Sequence, residues 1–516
     1  MASSYNVSTG TGNVLISSED STYFALQLVA DATLDADITY KLQQSEDGVN
    51  FHDISNTSGT LLSGGDSSSI ETYSANLKGL YLYIDVGSAT TGTVDIFISD
   101  KKKVGEDIQD VSVTNTPLDV SFDPTSIDAF GRFRVSQLTT QADLKQIYDA
   151  LPYFYDIEEI GTGVHTYNAG ESDSSMTTSA NSDMVIMQTK QRFNYLTGKS
   201  AYLFITFRNF NTESNVEKRI GYFNTSTSSP FTSGRDGFYL ENNKGTIRFV
   251  IAKNGTGSAY NQDTWDDPMD GTGASGVDLQ LGTETGNLLM WADYEWLGVG
   301  QVRFGFVYEG QFIIANKVDF IGEDGVYMLS PNHSLRAEIR QTGAGSGTLR
   351  LICATYNTEG ALNEIGVIGS ENLGVTHVNA NIIGTAYALL GIRLNSSKLD
   401  SFVDIIKGSV LSISNKDILW EIWLNPTVAG TFTYNAITDS VVEIAKGAAG
   451  GTNTVTGGTL LDSGYAIGQI TEAFKFVNAN RLGAAIDGTR DEIVLTGTPL
   501  ASNSDVLASI TWRERT

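Results

Sequence analysis

The sequence has few residues that cross-link a chain or bind metals. Its 516 residues include one cysteine, Cys353, so no disulfide can form within the chain. The four histidines are scattered, and none has another histidine or a cysteine at metal-ligand spacing. We therefore expect no metal and no cofactor. Cys353 follows Leu349 and Leu351 in strict alternation, which predicts a small core residue on one face of a strand.

Basic residues and long apolar runs are also lacking. The chain has 33 Lys and Arg against 60 Asp and Glu, a formal net charge of −27. Such a field repels nucleic acid and anionic membrane surfaces, so neither is an expected partner. No stretch approaches the roughly 20 apolar residues that span a bilayer, so we expect no membrane insertion. The opening MASSYNVSTGTG lacks a basic region followed by an apolar run, which predicts no signal peptide and synthesis in a cytosol.

Proline is rare, whereas glycine and aromatic residues are abundant. There are 8 prolines, against 53 glycines, 23 phenylalanines and 22 tyrosines. This composition is typical of short strands joined by turns. At roughly one domain per 150 residues, a chain of this length is expected to hold about three domains. We predict an all-β protein built from tandem β-sandwiches.

The N-terminal 100 residues and the segment after them differ in composition. Residues 1–100 contain period-two segments such as ITYKLQQS, which favour a small β-sandwich that could serve as an anchor. Asp47-Gly48 is a strong hairpin signal within this part. Residues 101–127 begin with three lysines and include two prolines among Asp, Ser and Thr. We interpret them as a surface linker.

The rest of the chain is predicted to form two further β-sandwiches. Residues 128–385 contain many short strands with Gly-rich turns, which favours a β-sandwich of the jelly-roll type. Its segment AYLFITFRNF, at 201–210, is nearly continuously apolar, as in a strand buried on both faces. Glu309-Gly310 is predicted to be the two-residue loop of a hairpin. Residues 386–516 are predicted to form the C-terminal β-sandwich.

One short helix is predicted near 139–151. Thr139 or Thr140 could cap it, and Pro152 would end it. Its apolar stripe would consist of Leu144, Ile147, Tyr148 and Leu151.

Two carboxylates in WADYEWLG are candidates for catalysis. On a strand, Asp293 and Glu295 would point to the same face, and paired carboxylates are the equipment of a glycosidase. Their Cα atoms would lie about 7 Å apart, and Leu297 holds the next position on that face. We favour the structural interpretation, an exposed acidic pair near the edge of a sheet.

Two further groups of residues could bind a ligand. Asp263, Asp266, Asp267 and Asp270 could wrap a calcium ion, although their spacing misses the helix-loop-helix calcium pattern and a solvated acidic loop is the favoured interpretation. Tryptophans could stack on sugar rings or meet a neighbouring subunit, and the candidates are Trp265, Trp420 and Trp423. The last two would face opposite sides of one strand, so at least one should be partly exposed.

An ordered set of segments resembles a family of virion proteins from tailed bacteriophages and some large viruses. The segments include DAFGRFRVS at 128–136, RIGYF at 219–223, DYEWLGVGQVRFGF at 293–306 and LNPTVAGTFTY at 424–434. The resemblance runs from about Asp128 to at least Leu460. The central strands, around DYEWLGVGQVRFGF, look like a concanavalin-like jelly roll. The resemblance implies a structural protein of the particle, on the capsid or the tail, as a decoration or fibre-like appendage.

The resemblance also implies partners. These are other virion proteins and further copies of the chain, with a trimer as the family-level expectation, and host surface glycans as a further candidate. The family offers no established catalytic residues, so no enzyme activity is expected. Arg132 and Arg134 should pair with the protein's own carboxylates or with a neighbouring subunit. The rival function is that of a carbohydrate-binding or polysaccharide-cleaving jelly roll.

Overall fold

The computed structural model describes residues 2–17, 23–45, 49–54, 58–62, 64–65, 67–73, 80–100, 127–128, 133, 138–296, 300–322, 325–360, 366–501 and 503–515. The chain divides into two compact units, 1–121 and 122–516. Strands make up almost all of the regular structure, which confirms the all-β prediction. Asp47-Gly48, Arg132, Arg134 and all of the predicted linker except Ile127 lie outside the described residues.

The first unit contains two antiparallel sheets around a small core. Its described strands are β1 (Ala2–Asn6), β2 (Gly12–Ser17), β3 (Tyr23–Ala30), β4 (Ile38–Gln44), β5 (His52–Asp53), β6 (Gly59–Leu61), β7 (Ser67–Tyr73), β8 (Leu80–Asp85) and β9 (Thr93–Asp100), with a 3₁₀ turn at Val7–Thr9. The sheets have the orders β1-β9-β3-β7 and β2-β8-β4-β5, and β6 also pairs with β4. Ile38, Tyr40 and Leu42 of β4 all enter the core, as their alternation predicts.

The second unit begins with the predicted jelly roll. Its described strands are β10 (Leu138–Lys145), β11 (Tyr155–Ile160), β12 (Val164–Asn168), β13 (Asp173–Thr178), β14 (Met184–Thr189), β15 (Ala201–Arg208), β16 (Val216–Asn224), β17 (Asp236–Asn243), β18 (Thr246–Lys253), β19 (Thr256–Asn261), β20 (Leu288–Tyr294), β21 (Gln301–Tyr308), β22 (Gln311–Asp319), β23 (Leu335–Gln341) and β24 (Gly347–Glu359), with a 3₁₀ turn at Gln262–Thr264.

These strands form two sheets that share one core. The eight-stranded sheet has the order β12-β13-β24-β15-β20-β21-β22, with β10 also paired with β24. The seven-stranded sheet has the order β11-β14-β23-β16-β17-β18-β19. One large apolar cluster draws residues from both sheets. The hairpin loop Glu309-Gly310 is present, with positive φ angles of 49° and 82° as a tight two-residue turn requires.

The predicted helix near 139–151 is wrong, because residues 138–145 form strand β10. This strand pairs antiparallel with β24 across a bulge between Thr140 and Ala142. Ala142 and Leu144 enter the core, whereas Ile147 and Tyr148 of the supposed apolar stripe are exposed. Pairing with a central strand therefore overrides the local helical pattern.

Two predictions about burial in this sheet also fail. The segment at 201–210 alternates between buried and half-buried residues along β15, so only one of its faces lies in the core. Leu349 and Leu351 are core residues, but Cys353 is only half-buried. The register between β15 and β24 shifts between Phe207 and its neighbour Thr206. A shift of one residue turns every later side chain to the other face, so Ala354 rather than Cys353 points inward.

The second unit ends with another β-sandwich. Its described strands are β25 (Val367–Asn372), β26 (Val378–Ala380), β27 (Tyr387–Leu394), β28 (Phe402–Ser412), β29 (Ile418–Leu424), β30 (Thr427–Val428), β31 (Tyr434–Ala436), β32 (Val442–Lys446), β33 (Val455–Thr456), β34 (Thr459–Ala466), β35 (Glu472–Arg481), β36 (Glu492–Pro499) and β37 (Ser504–Arg515). The sheets have the orders β25-β37-β28-β35 and β31-β32-β27-β36-β29-β34. In addition, β26 pairs with β37 and β30 pairs with β33.

This sandwich starts earlier than the expected boundary between 385 and 386. Strands β25 and β26 pair with β37, so they belong to the C-terminal sandwich and not to the jelly roll. The residues of β25 are exposed or half-buried throughout. An exposed strand of this kind lacks the alternation that marks a strand in the sequence.

The two sandwiches of the second unit touch through the loop between β35 and β36. Ala484 N–H donates to the carbonyl oxygen of Lys190 at 2.9 Å, and Ile486 N–H donates to Asp156 Oδ2 at 2.8 Å. The Ile486 side chain packs in a small apolar cluster with Ile186 of β14. The C-terminal sandwich thereby covers part of the outer face of the seven-stranded sheet.

Candidate functional site

The outer face of the seven-stranded sheet, turned away from the core, carries many charged side chains. Side chains alternate along a strand, so the residues between the core positions of β16, β17, β18 and β23 point outward. The outward residues include Glu217, Arg219, Tyr239, Glu241, Arg248, Arg336, Glu338 and Arg340. Strand pairing sets Arg219 opposite Glu241 on one side and opposite Glu338 on the other. An arginine of β16 therefore lies between a glutamate of β17 and a glutamate of β23.

These side chains form a buried network of ion pairs. Arg219 Nε donates to Glu241 Oε1 at 2.6 Å, and Arg219 Nη1 donates to Glu338 Oε1 at 2.8 Å. The second oxygen of Glu241 accepts from Arg248 Nε at 2.5 Å, and that of Glu338 accepts from Arg336 Nε at 2.7 Å. The side chains of Glu241 and Glu338 are 3% and 0% exposed. Each buried carboxylate is thus held between two guanidinium groups.

The charges of this network stabilise one another. Burial alone would raise the pKa of Glu241, but Arg219 and Arg248 outweigh burial and hold that pKa below its ordinary value. Burial would likewise lower the pKa of Arg219, but Glu338 and Glu241 raise it above the ordinary value for arginine. Arg219 and Glu241 are therefore both charged at neutral pH.

Phe231, in the loop between β16 and β17, covers one end of the network. Its side chain is fully buried, and the guanidinium carbon of Arg219 lies 4.2 Å from the ring centroid. Its carbonyl oxygen accepts from Arg219 Nη1 at 3.2 Å and from Arg235 Nη1 at 3.1 Å. Phe231 has a φ of 94°, which is unfavourable for a residue with a side chain. The ring over Arg219 and the two hydrogen bonds hold this backbone in place.

Beside Phe231 the same face stays open as a cleft of about 400 Å³. We call it the arginine cleft; its lining consists of Glu217, Arg219, Thr232, Arg235, Tyr239, Glu241, Asn243, Arg248, Val250, Gly257, Ala259 and Arg340. Four guanidinium groups and two carboxylates therefore line it. The cleft runs from the Phe231 loop to the edge strand β19.

Two arginines present unused donors to the cleft. The side chains of Arg248 and Arg340 are 28% and 33% exposed. Arg248 uses Nε to bind Glu241, and among the described residues its two terminal nitrogens have no hydrogen-bond partner. Arg340 Nη1 lies 3.9 Å from Glu217 Oε2, which is its one ion pair in the part of the chain described. Both guanidinium groups can therefore bind a solvent-borne anion.

Small residues keep the cleft open at the sheet edge. Ala259 pairs with Val250 across β18 and β19, so both side chains point into the cleft. A Cβ atom on Gly257 would lie 3.0 Å from Val250 Cγ1, which puts Gly257 on the same face. The arrangement can hold an extended polar ligand against the sheet.

The candidate carboxylate pair lies in the other sheet and is buried. Asp293 and Glu295 are 1% and 0% exposed. Asp293 accepts from Ser200 Oγ at 2.8 Å and from Arg303 Nη2 at 2.6 Å. Strand β20 lies between β15 and β21. The interpretation as an exposed acidic pair near a sheet edge is therefore wrong, since neighbouring strands supply polar partners that bury the pair.

Two segments of the family resemblance meet at this pair. Arg303 Nη2 also donates to the carbonyl oxygen of Ile127 at 2.8 Å, and Asp128 is buried beside it. Burial lowers the pKa of Arg303 to about 10, while the charges of Asp128 and Glu295 oppose this shift. The start of DAFGRFRVS is thus anchored to the strands of DYEWLGVGQVRFGF.

The acidic loop at 263–270 uses several of its carboxylates to bind backbone N–H groups. Asp267 is 5% exposed, and both of its oxygens accept backbone N–H groups of the same loop. Asp266 and Asp270 also accept backbone N–H groups. Asp263 and Asp270 line a separate cleft of about 430 Å³ together with Asp278. In the part of the chain that the structure describes, no three His, Cys, Asp or Glu side chains are placed to hold a metal ion.

The three candidate tryptophans take part in packing. Trp265 is 4% exposed and stacks on Phe249 with a centroid separation of 4.2 Å. Trp420 is 5% exposed and stacks on Phe474 at 4.4 Å, inside the C-terminal core. Trp423 lies on the opposite face of β29 and is partly buried against a small apolar cluster. Neither Trp265 nor Trp420 offers a free face to a sugar ring.

Sequence reasoning did not identify the arginine cleft. The signal was present as Arg336, Glu338 and Arg340 alternating with core residues in SLRAEIRQT, and as Arg219 in RIGYF. Such a polar face ordinarily meets solvent. Its burial depends on Phe231 and on the C-terminal sandwich, which no local pattern indicates.

No helix among the described residues is long and apolar enough to cross a membrane. Comparison with known proteins finds no protein-family model and no curated protein that matches the chain.

Solved structures similar to part of the chain include sugar-recognition and sugar-cleaving proteins. The carbohydrate recognition domain of Emp47p is 12% identical, with 44% of this chain and 98% of that domain covered and a TM-score of 0.29. The Bacillus licheniformis beta-glucanase is 7% identical, with 43% and 97% covered and a TM-score of 0.28. A legume lectin-like domain from Entamoeba histolytica is 10% identical, with 42% and 95% covered and a TM-score of 0.24. These similarities concern less than half of the chain and assign no role to any of its residues.

Proposed function

We propose that this chain is a structural component of a virus particle, displayed on the capsid or the tail of a tailed bacteriophage or a related large virus. The observation that carries the proposal is the contact between two segments of the family resemblance around Arg303. Asp128 is buried there with Asp293 of DYEW, and the half-buried Ile127 accepts a hydrogen bond from Arg303. A buried polar contact between the two segments stabilises the body of the protein, which suits a structural role.

Immunogold labelling of purified particles tests this location. Antibodies against the chain should decorate the capsid or the tail of the virus whose genome encodes it. Particles that lack the chain, while infected cells contain it in soluble form, would refute the proposal.

The particle protein is proposed to assemble with copies of itself, as a trimer. Closed cyclic symmetry is the usual way in which identical chains bury a shared face. The net charge of −27 opposes association, so the shared contact should be largely apolar. Light scattering on the full chain at micromolar concentration should give three times 55.6 kDa. The mass of a single chain would show that the particle, and not self-association, holds the copies together.

Polysaccharide cleavage at the carboxylate pair is not proposed. Asp293 and Glu295 are buried, and Asp293 is bound by Ser200 and Arg303. The double variant Asp293→Asn with Glu295→Gln should lose stability without losing any hydrolytic activity. Release of reducing sugar by the wild-type chain, absent in a folded double variant, would restore the glycosidase hypothesis.

A second candidate function is glycan binding, and the arginine cleft is the observation that favours it. The cleft is open, has a volume of about 400 Å³, and combines four guanidinium groups with the exposed small residues Gly257 and Ala259. Ligand pockets commonly have volumes of about 300–1,000 Å³. The full chain should bind to an array of bacterial surface saccharides, and a variant in which the cleft is blocked should not bind.

A further inference from the structure

We propose that the arginine cleft selects acidic saccharides, whose carboxylate groups are bound by Arg340 and Arg248. This inference rests on the second candidate function, glycan binding, and adds the chemical class of the ligand.

The lining of the cleft has more positive than negative groups. Four guanidinium groups line it against the carboxylates of Glu217 and Glu241. Glu241 already accepts from Arg219 and Arg248, and Glu217 lies within 4 Å of Arg219, Lys244 and Arg340. Positive charge is therefore in excess, in a chain with only 33 basic residues among 516. Such an excess favours an anion over a neutral sugar.

The free donors of Arg248 and Arg340 have the geometry that a carboxylate requires. The bond from Arg248 Nε to Glu241 at 2.5 Å fixes the plane of that guanidinium group and leaves both terminal nitrogens open. A planar guanidinium matches a carboxylate with two parallel hydrogen bonds. Arg340, on the opposite side of the cleft, contacts the protein more weakly, at 3.9 Å from Glu217. These two guanidinium groups, one on each side of the cleft, can bind successive acidic units of one saccharide chain.

The shape of the cleft favours a saccharide over a simple ion. Tyr239 and Val250 are buried and form the floor of the cleft. The exposed residues Gly257 and Ala259 of β19 supply the surface on which a sugar ring can lie. Gly257 and Ala259 keep the edge open, so a chain of sugars can extend past β19. The cleft volume of about 400 Å³ exceeds what a single small anion needs.

The overall charge of −27 does not prevent this binding. At physiological ionic strength, interactions between exposed charges fade beyond about 8 Å, so a short oligosaccharide responds to the nearby arginines. A long polyanion such as nucleic acid would meet the acidic surface outside the cleft, which disfavours it.

Binding of matched oligosaccharides by the full chain tests the inference. The probes are oligosaccharides of hyaluronan, alginate and polygalacturonate, each beside its carboxyl-reduced form, measured by isothermal titration calorimetry at moderate salt. The variants are Arg340→Gln, Arg248→Lys, Ala259→Trp to block the cleft, and Lys317→Gln as the control. Lys317 is an exposed residue of β22 in the other sheet, so its variant removes one positive charge away from the cleft.

We expect at least one uronate probe to bind, and its carboxyl-reduced form to bind about tenfold more weakly, since the reduced form loses its charge-assisted hydrogen bonds to the arginines. Arg340→Gln should weaken uronate binding about tenfold, Arg248→Lys should weaken it less, and Ala259→Trp should abolish it. Lys317→Gln should bind as the wild type does. Thermal unfolding of each variant shows that it is folded.

Two results would overturn the inference in distinguishable ways. Equal binding of uronate and carboxyl-reduced probes, abolished by Ala259→Trp, would refute acid selection and leave glycan binding in place. Failure of every probe to bind would refute both the inference and the glycan-binding candidate.

Discussion

The buried ion-pair network on the seven-stranded sheet makes a sharp prediction about Arg219. Replacing Arg219 by methionine keeps most of the apolar side-chain volume and removes the charge. It leaves Glu241 and Glu338, 3% and 0% exposed, each with one guanidinium partner instead of two. It also removes the contact of 4.2 Å between the guanidinium group and the ring of Phe231.

The expected loss in the free energy of unfolding is about 3–5 kcal/mol, the usual cost of removing one partner from a buried ion pair. It should fall near the lower end, because Arg248 and Arg336 still neutralise the two carboxylates. The pH dependence has a definite sign. Glu241 has a lowered pKa, so its stabilising contribution is present above its ordinary pKa of 4.5 and is lost as pH falls through the lower folded value. The difference between wild type and variant should therefore be full at pH 7 and shrink below about pH 4.5.

Hydrogen exchange followed by mass spectrometry is the assay, because it reports the stability of individual strands in a chain with several domains. Peptides from β16 and β17 should lose protection at pH 7 in Arg219→Met. Lys145→Met is the control, since Lys145 pairs with Asp143 at a site where both side chains are more than half exposed, and should cost at most about 1 kcal/mol. If the two variants lose the same protection in β16 and β17, the network does not stabilise the sheet.

Three further predictions concern the other parts of the chain. In the N-terminal unit, Asp31 accepts hydrogen bonds from the hydroxyl groups of Thr93 and Thr33, which lower its pKa to about 2, with Thr93 making the larger contribution. NMR titration should find this value. The stability that Asp31 provides should be present above pH 3.8 and should be lost as the pH falls through about 2. In the C-terminal sandwich, Trp420→Ala should cost about 3–5 kcal/mol in urea denaturation, because it empties a core position, and Trp423→Ala, on the partly buried outer face, should cost less. Limited proteolysis should cut first within 101–127, since exposed linkers are preferred sites, and a resistant fragment that spans this range would contradict the linker.

Much of the fold follows from local patterns. Period-two alternation in ITYKLQQS predicts that Ile38, Tyr40 and Leu42 of β4 lie in the core, and the structure agrees. The Glu309-Gly310 turn was predictable because both residues must adopt positive φ. These features depend on neighbours in the sequence, so the sequence contains what is needed to predict them.

The failures arise where distant segments decide the outcome. Residues 138–145 have a helical pattern, but their pairing with β24, more than 200 positions later, makes them a strand. Cys353 leaves the core because of one register shift that no local signal marks. The arginine cleft was missed for the same reason, since Phe231 and the C-terminal sandwich bury a charged face that alternation alone places in solvent.

The position of β24 in its sheet has a consequence for how the protein is made and how long it lasts. This strand is the last of the jelly roll along the chain, yet it bonds to β10, β13 and β15 in the middle of the sheet. At about 5–20 residues per second, a ribosome that has made β10 needs on the order of ten seconds or more to finish β24. Until then β10, β13 and β15 lack the partner that joins them in the sheet. Pairings so distant in sequence also form slowly once both partners exist. In the finished sheet β24 is bonded along both sides and cannot peel away from an edge, so opening must break two ladders at once. The lifetime of the folded body should therefore be set by a slow unfolding rate as much as by its equilibrium stability.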